Sequence, residues 1–395
     1  MVLGTVVEAV RRAAQEVQEG PTVQAKAQRA WGLTRIICRE LLGLLSGIPD
    51  AYYAASLWRN PEKEQQRWRF NLLKNVRYGP QERNLLDVYT PKDCKSESSL
   101  PVLMFVHGGV WAVGDKLLFS PLGAILAHHG IIALLVQYTL YPQVLAKEQV
   151  KEVSRALTWA LDTVSQYGGD PDRVHVMGHS SGAHLCAMLH WERAKRNLSF
   201  KKGFSSEVLE DKKGPRAYLG LSGVYNINTH YEYEQGRGVA TLSCMKPAMN
   251  GPKGFSAMSP ELLFGSLLAL KSNQQPRPTE DDENDMDLST VDTETMDWDN
   301  WASEQSPFVI LASDNDLVVP PRTSIAFHKV LQELGCKSGV SIHQSLGHDD
   351  FGFWVKGMRG KEKANAQVVI NEVVGIVNEE EKLDSFLHPE VDVLN

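Results

Sequence analysis

The stretch from Val174 to Met188 constrains the fold more than any other part of this chain. It reads as a short apolar strand, a forced turn and an alanine-rich helix, with Ser180 between Gly178 and Gly182. In a G-x-S-x-G turn, strand and helix approach so closely that a side chain at either glycine would collide. A chain with 31 glycines can carry this pattern by chance, so the flanking strand and helix are what favour it. We predict that Ser180 lies exposed at the C-terminal end of a parallel strand, in front of the positive end of a helix.

Composition is compatible with a large globular core. The chain has 395 residues, of which 43% are hydrophobic, enough for one large α/β domain with insertions or for two ordinary domains. The five cysteines are far apart and form no CxxC pair, which argues against a disulfide framework and a zinc site. Charged residues interrupt the N-terminal region, so we expect no secretory signal and a cytoplasmic rather than secreted protein.

The net charge of −7 is unevenly distributed. Residues 280–299 contain ten acidic and no basic residues, which leaves the rest of the chain at about +3 by subtraction. No dense Lys/Arg stripe with interleaved aromatic residues occurs, so we expect no nucleic-acid partner.

Residues 1–72 form a segment that we predict to be helical. Its longest uncharged piece is shorter than the roughly 20 residues that a spanning helix needs. Two interpretations remain: a helical cap packed on the following domain, or an amphipathic segment on a membrane surface. Residues 1–77 contain twelve Lys/Arg against seven Asp/Glu, which suits an anionic surface and a solvated helix face equally well.

From residue 73 to residue 395 we predict a single catalytic domain. Apolar strands alternate with amphipathic helices, which indicates a parallel sheet covered on both faces. Its predicted strands are a hairpin across Gly79-Pro80 that ends at Thr90-Pro91, and then Leu100–Val106, Ile131–Gln137, Val174–Met177, Ala217–Leu221, Phe308–Ala312 and Val340–His343.

Two insertions interrupt this alternation. Residues 226–270 are rich in methionine, phenylalanine and leucine, which predicts a cap over the sheet edge that either packs in the core or lines an apolar acyl pocket. Residues 271–302 are acidic and poor in apolar side chains, which predicts a disordered loop. After the last strand, we expect a helix over Lys361–Leu383 and a tail over Asp384–Asn395.

A serine hydroxyl becomes a nucleophile when a neutral imidazole removes its proton and a carboxylate orients that imidazole. After a G-x-S-x-G serine these partners follow in the order acid, then histidine, on loops after late strands. We assign Asp316 as the acid and His348 as the base. Asp314 is the alternative acid, because spacing cannot separate two residues on one loop tip.

The segment His107-Gly108-Gly109-Val110-Trp111 follows a buried strand and supplies backbone N–H groups. We predict an oxyanion hole formed by Gly109 and Val110, with Gly108 as an alternative donor, together with the N–H of Ser181. The histidines that we assign to packing, supporting or surface roles are His128, His129, His179, His184 and His343.

Together these motifs resemble a known group of enzymes. The sequence resembles α/β-hydrolase carboxylesterases of the kynurenine-formamidase and hormone-sensitive-lipase type. It is more similar still to the plant isoprenylcysteine α-carbonyl methylesterases. The motifs that carry the resemblance are the His107–Trp111 segment with Gly114-Asp115, Arg83–Tyr89, Tyr138–Pro142, Tyr167–Arg173, Gly178–His184 and Leu219–Asn226. Val110 stands where many relatives have a third glycine. A valine retains the backbone N–H donor and narrows the side of the site that holds the acyl group of the substrate.

The resemblance implies an α/β-hydrolase with a mostly parallel eight-stranded sheet, helices on both faces and a helical cap. It implies a serine carboxylesterase that needs no cofactor or metal. The first expected substrate is a prenylcysteine methyl ester, and the alternatives are an arylformamide such as N-formylkynurenine or non-catalytic binding of a small ligand. Peripheral contact with the endoplasmic reticulum or Golgi membrane through the N-terminal helices is a further expectation, and the oligomeric state stays open.

Overall fold

One mixed sheet of eight strands organises the molecule. The computed structural model describes residues 48–198, 213–272, 291–351 and 362–387, together with scattered positions between 11 and 34. The strands are β1 (Phe70–Arg77), β2 (Leu85–Pro91), β3 (Leu100–Val106), β4 (Ile132–Gln137), β5 (Gly169–His179), β6 (Ala217–Leu221), β7 (Phe308–Ser313) and β8 (Ser338–His343).

The strand order is β1-β2-β4-β3-β5-β6-β7-β8. Strand β2 pairs antiparallel with β1 and β4, and every other pair in the sheet is parallel. The expected α/β-hydrolase architecture with a mostly parallel eight-stranded sheet is therefore confirmed. In a parallel sheet the carboxyl ends of the strands meet at one edge, so the loops after β3, β5, β7 and β8 lie together there.

The helices connect and cover the strands. They are α1 (Glu62–Trp68), α2 (Ser120–His128), α3 (Ala146–Thr163), α4 (Ser181–Ala194), α5 (Ile227–Gly236), α6 (Met245–Ala248), α7 (Pro260–Lys271), α8 (Trp298–Ser303), α9 (Arg322–Leu334), α10 (Glu362–Asn378) and α11 (Glu380–Leu387). Residues 48–59 are also helical.

Each face of the sheet carries its own core. One core joins α3, α4, α7 and α9 to alternate strand residues such as Val102, Met104 and Val106. The other joins α2, α10 and α11 to residues of opposite parity such as Leu103 and Phe105. Because side chains alternate across a strand, a fully apolar run such as β3 serves both cores at once.

Three predicted segments are wrong, and in addition β5 begins at Gly169 rather than at the predicted Val174. Strand β1 begins at Phe70, inside the segment predicted to be helical, because Arg69 adopts a left-handed conformation that ends α1 and Phe70 is fully buried. The C-terminal helix is two helices, and α11 continues to Leu387 within the predicted tail because Leu383 and Leu387 are buried.

The third error concerns the acidic segment 271–302. Its residues 273–290 lie outside the described residues. The described remainder is ordered, since α8 begins within it and Val291, Met296 and Trp301 are buried. Trp301 also donates a hydrogen bond from Nε1 to the Ala194 carbonyl at 3.1 Å. The composition of the segment did not indicate these buried contacts, because three apolar side chains among many carboxylates leave its mean hydropathy low.

The insertion 226–270 packs on the core face that carries α4 and α9. Met245, Phe255 and Phe264 are buried there, with Phe264 against Trp191 and Phe327. Most residues before position 48, including nearly all of the predicted N-terminal helical face, lie outside the described residues. Within the described ranges, no helix combines the length and the apolarity that crossing a membrane requires.

Candidate active site

The turn after β5 places Ser180 at the carboxyl edge of the sheet. Ser180 has φ 56° and ψ −123° and is the N-cap of α4, a strained conformation for a residue with a side chain. A Cβ at Gly178 would collide with the Gly182 backbone, and a Cβ at Gly182 would collide with the Val106 carbonyl. The Ser180 N–H donates to the Leu221 carbonyl of β6 at 2.9 Å. The strand and the helix meet closely here, as the motif predicts. The expectation that Ser180 lies exposed is wrong, because the surrounding loops leave only 8% of it exposed.

The loop after β7 brings Asp316 to His348. Asp316 Oδ2 accepts a hydrogen bond from His348 Nδ1 at 2.7 Å, and Oδ1 accepts from the N–H groups of Val318 and Val319 at 2.8 and 2.9 Å. Burial alone would raise the pKa of Asp316, but the hydrogen bond and charge of His348, with the two N–H donors, hold that pKa below its ordinary value. The carboxylate is therefore ionised and His348 carries its proton on Nδ1.

Asp314, the alternative acid, points elsewhere. It is exposed, and its Oδ2 accepts from Gln344 Nε2 at 3.2 Å. The structure thus brings Asp316, and not Asp314, to the imidazole.

His348 lies beside the serine turn. His179, which directly precedes Ser180, has its Nε2 3.1 Å from the His348 carbonyl oxygen, and the two rings are 4.7 Å apart. Burial and the neighbouring His348 lower the pKa of His179 to about 3, so His179 is neutral and donates from Nε2. Among the described residues Ser180 Oγ makes no direct hydrogen bond to His348, which is common in sites without substrate.

The loop after β3 faces Ser180. Gly109, Val110 and Trp111 have consecutive positive φ values of 125°, 46° and 61°. A Cβ at Gly108 would lie 3.0 Å from the Ser180 Cβ, so this loop passes close to Ser180. The amides of Gly108, Gly109, Val110 and Ser181 donate no hydrogen bond to any described residue. Unpaired N–H groups next to a serine are what an oxyanion hole requires.

Several residues that sequence reasoning did not assign hold this loop. Arg83 donates from Nε to the Tyr138 carbonyl and from Nη2 to the Gly114 carbonyl, both at 2.9 Å. The Tyr138 hydroxyl donates to the His107 carbonyl at 2.9 Å, and Gln149 Nε2 donates to the Trp111 carbonyl at 2.8 Å. Arg83 and Tyr138 belong to motifs that carry the family resemblance, which was the available signal. Gln149 lies in an ordinary amphipathic helix and gave none.

His184 has the packing role that we expected for it. Its Nδ1 accepts from Trp111 Nε1 at 3.1 Å, and its Nε2 lies 2.8 Å from the Met258 carbonyl. Burial lowers its pKa to about 4. A neutral ring satisfies both contacts, so His184, which lies in α4, connects the loop after β3 to the cap. Of the other histidines that we assigned to packing, supporting or surface roles, His128 and His129 contact each other, and His343 contacts Phe351.

No metal site accompanies this arrangement within the described ranges, where no cluster of three or more His, Cys, Asp or Glu side chains could hold an ion. The arrangement combines a hydroxyl, an imidazole, an ionised carboxylate and unpaired amides, which are the groups that acyl transfer through a serine requires. Apolar side chains are exposed on the same loops, with exposed fractions of 38% for Val110, 68% for Leu317 and 40% for Val318.

Comparisons with known proteins agree with this geometry. The BD-FAE family model matches residues 86–260. A probable isoprenylcysteine alpha-carbonyl methylesterase of Arabidopsis thaliana is 30% identical over 302 residues, which are 76% of this chain and 56% of that protein. A probable isoprenylcysteine alpha-carbonyl methylesterase of Oryza sativa is 31% identical over 279 residues, 71% of this chain and 58% of that protein. The chain thus spans a little over half the length of these relatives.

More distant proteins are also similar. Esterase LipQ of Mycobacterium tuberculosis is 26% identical over 265 residues, 66% of this chain and 53% of that protein. Among solved structures, esterase B from Lactobacillus rhamnosis has a TM-score of 0.55 at 15% identity, covering 86% of this chain and 98% of its own. Carboxyl esterase 2 from Tuber melanosporum has a TM-score of 0.54 at 17% identity, covering 81% and 87%. At these low sequence identities, the structural likeness shows only that the folds are similar.

Proposed function

We propose that the protein is a serine carboxylesterase whose residues 86–260, which the BD-FAE family model matches, form part of an α/β-hydrolase domain. The observation that carries this proposal is the 2.7 Å hydrogen bond from His348 Nδ1 to Asp316 Oδ2 beside the strained Ser180 turn. In the neutral tautomer that this bond selects, the lone pair of His348 lies on Nε2, where it can accept a proton from a serine hydroxyl. Esterase names among the relatives point the same way.

The proposed reaction has two halves. Ser180 Oγ attacks the ester carbonyl carbon while its proton passes to His348 Nε2. The electron pair of the carbonyl bond moves to oxygen, where the amides of Gly109, Val110 and Ser181 stabilise it, each worth about 3 kcal/mol in barrier height. Collapse expels the alcohol, which takes the proton from His348. Water then attacks the acyl-enzyme by the same route and releases the acid.

The substrate that we propose is a methyl ester with a large apolar group, of the prenylcysteine type. The exposed Val110, Leu317 and Val318 support an apolar partner, because isolated apolar side chains around a reactive serine gain burial when such a group binds. The printed names of the plant relatives support the methyl ester.

Turnover measurements test both the proposed esterase activity and the proposed substrate. We expect hydrolysis of p-nitrophenyl butyrate and covalent labelling by a fluorophosphonate, both lost in Ser180→Ala and retained in Ser385→Ala, which changes an exposed serine of α11. Equal rates in the wild type and Ser180→Ala would refute the esterase. N-acetyl-S-farnesylcysteine methyl ester should exceed N-acetyl-S-methylcysteine methyl ester in kcat/KM by tenfold or more. Faster turnover of N-formylkynurenine than of the farnesyl ester would instead assign an arylformamidase.

We further propose peripheral contact with a membrane on its cytoplasmic side. Ile48 and Tyr52 lie one turn apart on helix 48–59 with exposed fractions of 57% and 75%, so they form an apolar face that no described residue covers. The protein should co-sediment with vesicles containing anionic lipid, and Ile48→Ser with Tyr52→Ser should reduce this. Leu73→Ser, at another exposed apolar position, is the control. An equal effect of both changes, or no sedimentation, would refute the contact.

A further inference from the structure

His179 is the last residue of β5 and directly precedes Ser180. It is buried, with an exposed fraction of 3%, and it pairs with Leu221 of β6 in the parallel ladder. A side chain carried by a central strand is held more precisely than one on a loop. The imidazole of His179 therefore has a fixed place relative to Ser180.

The ring of His179 reaches the loop after β8, which carries His348. Its Nε2 lies 3.1 Å from the His348 carbonyl oxygen, and the centroids of the two rings are 4.7 Å apart. A carbonyl oxygen can only accept, so Nε2 carries a proton and donates it. The two residues are 169 positions apart in the chain. This hydrogen bond therefore joins the strand that ends at the serine directly to the loop of the proposed base.

The loop after β3 confines the same ring from another side. A Cβ at Gly108 would lie 3.2 Å from His179 Nδ1 and 2.8 Å from the His179 carbonyl oxygen. Distances this short leave no room for a side chain at position 108. The imidazole of His179 thus lies between the loops after β3 and β8, and its own strand leads to the serine.

Two hydrogen bonds join His348 to other loops and strands of the described chain. The bond from Nδ1 to Asp316 Oδ2 orients the ring, and the bond from His179 holds the backbone from which the ring extends. A further bond, from the Gly347 N–H to Asp350 Oδ2 at 2.8 Å, lies within the loop and does not connect it to the serine strand. The contact with His179 therefore sets the position of this backbone relative to the serine.

We propose that His179 is a positioning residue, which holds the backbone of His348 at the place where the imidazole can take the proton of Ser180. This inference rests on the proposed esterase function. A displacement of about 1 Å in a catalytic group can lower the rate by about 10²-fold. Burial and the neighbouring His348 lower the pKa of His179 to about 3. The ring therefore donates its hydrogen bond without placing a second positive charge beside the imidazolium that forms on His348.

Three substitutions separate the hydrogen-bond donor from the volume of the ring. His179→Gln keeps an N–H donor that is separated from Cα by as many bonds as the imidazole Nε2. His179→Asn places its donor one bond closer to the backbone, and His179→Leu has none. With p-nitrophenyl butyrate, we expect His179→Gln to keep kcat within about threefold of the wild type. The other two should lose about 30–100-fold in kcat while KM changes by about threefold or less, because the residue acts on the base and not on substrate binding.

Fluorophosphonate labelling of Ser180 should slow in parallel with kcat, at melting temperatures well above that of the assay. His175→Leu is the matched control. His175 is also buried in β5, roughly 13 Å further along the strand, and this change should alter kcat by about twofold or less.

Two results would overturn the positioning role. One is an equal loss of kcat in His179→Gln and His179→Asn, which would assign the effect to the ring itself. The other is wild-type kcat in His179→Asn or His179→Leu. Ser180→Ala, assayed alongside, separates this failure from that of the proposed function: if Ser180→Ala is inactive, only the role of His179 is refuted, and if it is fully active, the esterase mechanism is refuted as well.

Discussion

Replacing Asp316 by asparagine is expected to reverse the proton arrangement of His348. Asp316 Oδ1 accepts two backbone hydrogen bonds, from Val318 and Val319, and Oδ2 accepts one from His348. An asparagine has only one carbonyl oxygen. It should occupy the Oδ1 position, because an NH₂ group there would face two donors. The NH₂ group then faces His348 Nδ1 and can only donate to it.

In the proposed mechanism the consequence is a loss of the general base. When Nδ1 accepts, the imidazole proton moves to Nε2, the nitrogen that must take the proton of Ser180. In a triad of this type the wrong tautomer lowers kcat by about 10⁴-fold, which corresponds to about 5 kcal/mol in barrier height. The folded structure should be retained, since the amide fills the same volume.

Hydrolysis of p-nitrophenyl butyrate at saturating substrate measures this loss, with the melting temperature as a check on folding. Asp314→Asn is the matched control, because Asp314 is exposed and accepts only from Gln344 among side-chain donors in the described residues. Its kcat should change by about twofold or less. The reasoning is refuted if Asp316→Asn retains more than a tenth of kcat or if Asp314→Asn loses as much.

Three further substitutions test the structure around the site. Gly182→Ala should abolish activity and destabilise the fold, because the new Cβ would collide with the backbone of β3. Gly265→Ala is the control, because a Cβ at this position of α7 meets open space. It should raise the free energy of unfolding, measured by chemical denaturation, by about 0.5–1 kcal/mol. Lys116→Met should cost about 3–5 kcal/mol in unfolding free energy, because it leaves the buried Asp87 carboxylate, now 2.7 Å from Lys116 Nζ, without its cation. Burial raises the pKa of Glu234 to about 7 from 4.5, so its contribution to stability is complete below pH 4.5 and is lost as pH rises through 7. Glu234→Gln should therefore exceed the wild type in stability at pH 8 by at most roughly 3 kcal/mol.

Control variants show whether each effect is specific to the residue that is changed. Lys92→Met removes an exposed lysine and should cost nothing measurable, and the double variant Asp87→Leu/Lys116→Met should recover stability relative to Lys116→Met alone. Glu232→Gln changes an exposed carboxylate on the same helix as Glu234 and should leave the pH profile unchanged. A pH profile that is identical for Glu234→Gln and the wild type would contradict the buried, protonated carboxyl.

Local sequence was sufficient for central strands such as β3 and β6 because they are buried on both faces. Leu100–Val106 and Ala217–Leu221 are unbroken apolar runs, and their bounds coincide with β3 and β6. The errors fall where a distant contact overrides composition. Phe70 is placed in a strand by its pairing with Pro91, and α8 is anchored by the bond from Trp301 to Ala194, a partner 107 residues away.

The supporting residues of the site depend on the same kind of long-range contact. Asn84 donates to Glu152 Oε2 at 2.7 Å across 68 residues, and the Thr139 N–H donates to the same oxygen at 2.7 Å. Trp58 Nε1 donates to Asp87 Oδ2 at 2.7 Å, which joins helix 48–59 to β2. Nothing in the local sequence around Glu152 or Asp87 distinguishes these buried carboxylates from solvated ones.

The sequence by itself determined the fold class and the position of Ser180, because a G-x-S-x-G turn and doubly buried strands are local patterns whose steric and hydrophobic consequences need no partner. Only the tertiary structure shows that Asp316, and not Asp314, contacts His348. Two carboxylates two residues apart have the same chemistry, and only the backbone of the β7 loop, which donates two N–H groups to Asp316 and aims its second oxygen at His348, makes them different.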